Sequence, residues 1–449
     1  MSSELKNEKV IENKMGSMNV RRLILTISTP IVISMIIQSL YNVVDSIFVA
    51  QISEEAITAV TMAFPLQQLM MSVGIGTAIG VNSFLARSLG ARKHSQVNRI
   101  ANNGILLAFL SFISFFIIGL FLSEKLIQLQ TDDMEIIKNG PIYLKICLMG
   151  SLGIFMHIMF ERLLQATGKT IYTMIAQMTG AIMNIILDPI MIFGYLGLPA
   201  MGLAGAAIAT VISQFIGAFI VGYFCINKEK NIKIDLRYMK PDLNIIKDIY
   251  KVGIPSIVMI SITSITIFSL NKILAKFSIT AVALLGIYAK LQSFIFMPVF
   301  GLNNGIIPIV AYNYGAGDKE RMREAIFIGM KYAIIIMLIG SMMMLLVPNA
   351  LLGMFNASKQ MLQMGTTAFR ILSTSFVFAA VSIVSIGVFQ AIGKGTLSMI
   401  ISIIRQLVVL VPLAYIFSLS GNLDRVWWSV LIAELVAVSI CITNLKKLI

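Results

Sequence analysis

From residue 23 onward the chain is a succession of apolar stretches, each long enough to cross a bilayer and each followed by a short polar loop. A spanning helix takes about 20 mostly apolar residues. Six such stretches lie at 23–50, 57–84, 100–122, 139–163, 170–195 and 202–226. Six more follow a polar interval, at 248–276, 280–311, 325–352, 366–391, 396–420 and 425–445. Several exceed 25 residues, which calls for tilt, kinks or helix that continues beyond the membrane. Only 12% of the 449 residues are charged and 57% are hydrophobic, too little polar surface to clothe a soluble globule. The pattern predicts an all-α polytopic membrane protein with twelve transmembrane helices.

The net charge of +14 is spread in short basic clusters between the apolar runs rather than gathered into one groove-sized patch, so nucleic acid is not an expected partner. One side of the membrane receives the N-tail 1–22, where Lys6, Lys9, Lys14, Arg21 and Arg22 outnumber Glu4, Glu8 and Glu12. The same side receives Arg87/Arg92/Lys93/Arg99, Lys169, the stretch from Lys228 to Lys251, Lys319/Arg321/Arg323, Lys394 and Lys446/Lys447. The opposite loops carry Glu54/Glu55, Glu124, Asp132/Asp133/Glu135 and Asp424. Basic loops stay inside, so both termini are expected in the cytoplasm, and an even helix count requires that agreement. The first apolar run is too long for a signal peptide and has no small-residue cleavage site, so it is expected to remain as a helix. Cys147, Cys225 and Cys441 all fall inside apolar runs and are expected as buried free thiols.

The two sets of six are copies of one another. Pro255 lies 225 residues after Pro30, and Gln292 after Gln67 and Gly305 after Gly80 at the same interval. Ser88-Leu89-Gly90-Ala91 recurs as Asn313-Tyr314-Gly315-Ala316, and Gln165-Ala166-Thr167-Gly168-Lys169 as Gln390-Ala391-Ile392-Gly393-Lys394. The expected organisation is an N-lobe 23–226, a charged cytoplasmic linker 227–247, a C-lobe 248–445 and a C-tail 446–449. With six helices per repeat the lobes run parallel and are related by an axis along the membrane normal, an architecture of alternating-access carriers.

A charge in hydrocarbon costs at least about 2.5–3.5 kcal/mol, so each one asks for a reason. Asp45 ends a polar stripe Ser34, Gln38, Tyr41/Asn42 in the first span, and Asp188 ends a stripe Thr173, Gln177, Asn184 in the fifth. The two stripes are expected to face one another, because two carboxylates brought close can load and release a proton, or hold Na⁺ with help from Asn184. A static network that only fixes helix packing is the plainer alternative. His157 and Glu161 share a face of the fourth span, with Gln165 a turn further on, and suit either a substrate or proton relay or a helix-end ion pair. Glu434 stands alone in the last span and calls for a structural partner such as Arg405 or Lys290. The C-lobe otherwise offers cations, Lys272, Lys276, Lys290, Arg370 and Arg405, so coupling chemistry is expected in the first half.

Gly168-Lys169-Thr170 has the end of a phosphate-binding loop without its first glycine, since Leu163 stands there, so no nucleotide is expected as energy source or cofactor. His94 and His157 have no ligand cluster around them for a transition metal, and no nucleophile elbow is present, so the chain is not expected to be an enzyme.

Several segments together resemble the MATE family (multidrug and toxic compound extrusion), with most similarity to its DinF-like and MepA-like bacterial branch. They are Pro30 with Tyr41-Asn42-Val43-Val44-Asp45, Gly80 leading to Ala86-Arg87-Ser88-Leu89-Gly90-Ala91, Glu161 with Gln165-Ala166-Thr167-Gly168, and Asn184 through Pro189. In the second half they are Pro308 to Ala316 and Gln390-Ala391-Ile392-Gly393. The resemblance implies two six-helix lobes in a V, working as a monomer in a bacterial cytoplasmic membrane. It implies export of cationic or amphiphilic drugs in exchange for H⁺ or Na⁺. Asp45, Asn184 and Asp188 would form the coupling network, Pro30 the bend of helix 1, and Glu161 an acid handling substrate. From the residues themselves, His157, Gln38, Tyr41 and Gln177 are expected with Glu161 in a substrate or proton relay. The NorM branch uses second-lobe acids that this sequence lacks, which points away from a Na⁺ site there. A flippase or exporter of lipid-linked or anionic cargo on the same fold is the alternative, which the C-lobe cations keep open.

Overall fold

The structure is a computed structural model that describes residues 14–131, 133–235, 240–355 and 358–448. Lys6, Lys9, Glu4, Glu8, Glu12 and Asp132, and the side chain of Glu54, lie outside the described residues.

The described residues form helices throughout. After a short turn α1 (Lys14–Ser17) come α2 (Val20–Ala50), α3 (Glu54–Gly90), α4 (His94–Gln128), α5 (Met134–Met149), α6 (Leu152–Ala166), α7 (Thr170–Phe193) and α8 (Gly202–Lys228). The second series is α9 (Leu243–Ala275), α10 (Ile279–Ala316), α11 (Lys319–Leu346), α12 (Pro348–Gly353), α13 (Lys359–Ser373) and α14 (Phe376–Ala391). It ends with α15 (Gly395–Ile403), a π-helical stretch Ile404–Leu410, α16 (Val411–Ser418) and α17 (Leu423–Lys446). Ten helical spans are long and apolar enough to cross a membrane, and the bent pairs α5/α6 and α13/α14 make twelve.

Those bent pairs occupy the spans expected at 139–163 and 366–391. The chain turns by 41° between α5 and α6 and by 46° between α13 and α14. Both bends fall at short small-polar steps, Gly150-Ser151 and Ser373-Thr374-Ser375, too brief to interrupt an apolar window. The ninth span also ends earlier than expected, because Pro348 cannot continue α11 and instead opens α12. Elsewhere the helices overrun the apolar windows by polar turns, which water solvates as readily as membrane rejects them.

Boundaries repeat with the sequence. Ser53 and Ser278, 225 residues apart, each cap a helix by accepting the amide of the third residue on, at 3.1 and 3.0 Å. Asp133 and Ser358, the same interval apart, cap α5 and α13. The lobes meet through matched contacts as well. Gly90 lies on the Tyr312 carbonyl, and its copy Gly315 lies on the carbonyl of Arg87, the copy of Tyr312. Gly80 abuts the backbone of Ile249 and Gly253, while its copy Gly305 abuts Ser28, the copy of Gly253. A side chain at any of these four positions would separate the backbones. Reciprocal contacts of this kind are what a twofold axis between two like bodies produces.

This clasp sits at the end of the molecule that carries the basic loops. Ser28 Oγ donates to the Leu302 carbonyl across it at 3.3 Å. Arg321, on α11, donates from Nη2 to the carbonyls of Met15 and Met18 at 3.1 and 2.8 Å, tying the N-terminal turn to the second lobe. From Met35 to Ala50, by contrast, α2 is at least partly exposed everywhere except Val49. The lobes are joined at the basic end, and towards the other end α2 is increasingly exposed.

Candidate functional site

Helices α2 and α7 pack side by side in the first lobe and bring their two acids together. The carboxyls of Asp45 and Asp188 lie close enough to interact directly. Asp188 has no exposed surface, and its Oδ1 accepts from Asn184 Nδ2 at 3.2 Å. Asn184 Nδ2 also reaches Thr210 Oγ1 on α8 at 3.4 Å. Asp188 Oδ2 and Asn184 Oδ1 are buried with no donor among the described residues. A carboxyl pair in contact lacks the hydrogen that its contact requires unless one proton, or a cation, lies between the oxygens.

Tyr41, one turn before Asp45 on α2, stands within electrostatic reach of both acids. Asn42 turns away and is exposed, so the polar stripe runs through Tyr41. Ser34 Oγ donates back to the Pro30 carbonyl at 2.8 Å, a bond that bends helices, in the turn after the one that Pro30 leaves short of a backbone bond. Gln38, on the same stripe, is half-buried.

Four further residues stand around the pair, and sequence reasoning did not select them for it. Tyr143 on α5 stands near Asp45 and hydrogen-bonds Gln67 of α3, and Cys147 lies one turn along the same face. Thr210 supplies the contact from α8. A tyrosine, a glutamine and a threonine inside apolar spans were the available signal, but each is common enough in membrane helices to pass unmarked. All three cysteines are buried free thiols, as expected.

His157, Glu161 and Gln177 assemble separately from Gln38 and Tyr41. The His157 ring is buried against Gly217, with Gln177 and Glu161 beside it and its Nε2 unpartnered. Glu161 accepts from Gln165 Nε2 at 2.7 Å, and Gln165 Oε1 accepts from Arg162 at 3.0 Å. Thr173, on the Asp188 stripe, bonds only back to the Thr170 carbonyl at 2.8 Å.

Two other acids are structural. Glu434 takes Arg405 Nη1 at 2.9 Å and Ser382 Oγ at 3.1 Å, so of the two expected partners Arg405 is the one it has. Glu229, which the sequence did not single out, is buried where it accepts Thr167 Oγ1 at 2.6 Å and pairs with Lys169 at 3.3 Å. Thr167 and Lys169 are both held by this one carboxylate. Burial and then Lys169 push the nearby Lys14 ammonium below the usual lysine range, against the pull of Glu229. The expected interior cations Lys272, Lys276, Lys290 and Arg370 all lie on exposed faces, Lys272 over the Phe268 ring at 4.7 Å and Lys276 over Tyr415 at 4.9 Å. Long apolar stems let such side chains reach a polar surface from an apolar run.

The sequence profile described as MatE matches this chain twice, at residues 30–190 and 255–416. The chain is 26% identical over 408 residues to a protein of Staphylococcus saprophyticus named multidrug export protein MepA, a match covering 91% of this chain and 89% of that one. Its fold is similar to a MOP superfamily transporter from Pyrococcus furiosus, described by the reverse polarity of its binding pocket and a suggested different function (TM-score 0.91, 27% identity, 98% of each chain). It is as close to a multidrug resistance MATE family transporter in an outward-facing conformation, with a TM-score of 0.90 and 26% identity over 97% of this chain and 98% of that one. A polytopic fold of two six-helix lobes, matched once per lobe over most of its length, identifies the chain: it belongs to the MatE family of membrane transporters, in the MepA-like branch.

Proposed function

We propose that the protein is a secondary multidrug exporter that expels cationic or amphiphilic organic compounds across a bacterial cytoplasmic membrane in exchange for protons. The observation that carries this reading is the Asp45–Asp188 contact, in which a buried carboxyl oxygen has no donor. A proton taken up there neutralises the pair and lets α2 repack, and its release restores a negative chamber that attracts a cation. Drug and proton then compete for one site whose charge differs between states. The export reading draws on the relatives, several of which are named multidrug export proteins. The basic loops favour both termini in the cytoplasm, with the clasped end facing inward. The chain works as a monomer, with lipid as its surroundings.

Na⁺ is the competing coupling ion, because Asp188 Oδ2 and Asn184 Oδ1 are buried oxygens with no donor among the described residues. Anionic or lipid-linked cargo is the competing substrate class. Ethidium accumulation in everted vesicles under an imposed pH or Na⁺ gradient separates these readings. Uptake driven by the pH gradient alone is expected. Uptake driven by Na⁺ alone would move the coupling to that ion, and no uptake under either gradient would defeat the antiport reading.

A further inference from the structure

Beside the clasp, on the basic end, a cavity of about 370 Å³ opens between the lobes. The first lobe contributes Arg87, Ser88 and Lys93, and the second contributes Asp248, Lys251 and Tyr314. Arg87 is the unusual member. Its guanidinium is largely enclosed, has the Phe84 ring 5.7 Å from Cζ, and among the described residues has no hydrogen bond or ion pair. It fits because Gly393 turns in the left-handed region at φ +86° and leaves its Cα side bare, where a Cβ would strike Nη1. The nearest carboxylate, Asp248, is already taken by Lys251 at 2.6 Å. Three cations thus face one acid, and that acid is committed.

An enclosed guanidinium without an acceptor is a costly arrangement unless a ligand supplies the oxygens. The planar fork of arginine matches phosphate oxygens two at a time, and the Ser88 and Tyr314 hydroxyls line the same space as further donors. Lys93 and Lys251 at the exposed rim add attraction without geometry. The cavity lies where the spanning helices run out into polar loops, the depth at which phospholipid headgroups sit.

We propose that this interlobe cavity binds a phosphate-bearing anion through Arg87, and that the bound anion, touching both lobes, favours the state in which the basic end is closed. The drug-binding and coupling residues are not part of it, so its occupancy is separable from the export reading. The phosphate comes from an anionic lipid headgroup or from soluble phosphate, and the same experiment distinguishes the two.

The full-length protein in neutral detergent is titrated with dioctanoyl phosphatidylglycerol, dioctanoyl phosphatidylcholine and inorganic phosphate at fixed ionic strength. Binding is read by native mass spectrometry and by the unfolding midpoint. Saturable binding of phosphatidylglycerol or phosphate is expected. It should weaken about tenfold or more in Arg87→Gln and about threefold or more in the rim double variant Lys93→Gln/Lys251→Gln. Tighter binding of the anionic lipid than of phosphate assigns the site to a headgroup, and equal binding assigns it to a soluble anion. The rim variant, whose substituted side chains are exposed, keeps the test decisive if Arg87→Gln fails to fold. Absence of saturable binding of both anions, or binding that neither variant alters, overturns the proposal.

Discussion

Asp188 combines zero exposure with an oxygen that no donor among the described residues reaches, and its neighbour Asp45 is another acid rather than a base. Asp188→Asn keeps shape and one hydrogen-bonding group but cannot titrate, so coupled efflux should be abolished while expression and folding stay close to wild type. Asp45→Asn should do the same. The double variant should be little worse than either single one, because the two acids act as a unit. Efflux of ethidium from cells with matched protein levels reads all three, and a wild-type rate in Asp188→Asn would remove the pair from the mechanism. At this scale Asp45, Asn184 and Asp188 were legible in the sequence because a carboxylate in an apolar run advertises its cost. Tyr143, Gln67 and Thr210 were not, since their part depends on which helix faces which. Glu229 escaped because it falls just past an apolar run, where a charge looks solvated, and only the fold buries it.

Among the helices, the prolines are misleading guides to where the chain bends. Pro65, Pro141, Pro298 and Pro308 all lie inside continuous helices, while the 41° and 46° turns fall at Gly150-Ser151 and Thr374-Ser375. Twelve spans and their repeat could be counted from apolar length alone, but a bend set by packing leaves no mark in hydropathy. Gly150 shows why, since a Cβ there would meet Val211 of the neighbouring helix. Pro30 differs from the other prolines because Ser34 doubles the load on its carbonyl at 2.8 Å. The turn before Pro30 lacks one backbone bond and the turn after it carries a back-bonded hydroxyl, so this is the softest stretch of α2 and the place for a hinge that repositions Asp45. Pro30→Ala should leave substrate binding largely intact and slow turnover several-fold. Binding by tryptophan-independent equilibrium dialysis and efflux measured on the same preparation would separate the two effects, and an unchanged turnover rate would sink the hinge.

Over the whole molecule the two lobes share boundaries and a reciprocal clasp yet differ in chemistry. The first contains a carboxyl pair in contact and the His157–Glu161 cluster. In the second, the spanning acid Glu434 is fixed by Arg405, and Arg405 itself sits in a π-helical stretch that has no counterpart in α7. A wound-open turn of that kind lets one side chain reach a partner that a regular helix would miss. With its acid neutralised by a fixed cation, the second lobe has little to exchange with bulk protons, whereas the first has a pair whose charge can change. Lys290 and Arg370 are exposed and, among the described residues, make no ion pair. Replacing either by Gln should therefore alter stability or the balance between states without moving the pH dependence of export. The measurement is ethidium efflux against external pH for Lys290→Gln, Arg370→Gln and Asp188→Asn at controlled protein levels. The two cation variants should retain the wild-type midpoint, and Asp188→Asn should have no pH-dependent component left. A shift of about one pH unit in Lys290→Gln, equivalent to about 1.4 kcal/mol between protonation states, combined with a normal profile in Asp188→Asn would place coupling in the second lobe. The exposed cations would then be contacts for an anionic cargo, and the exporter of organic cations would give way to that reading.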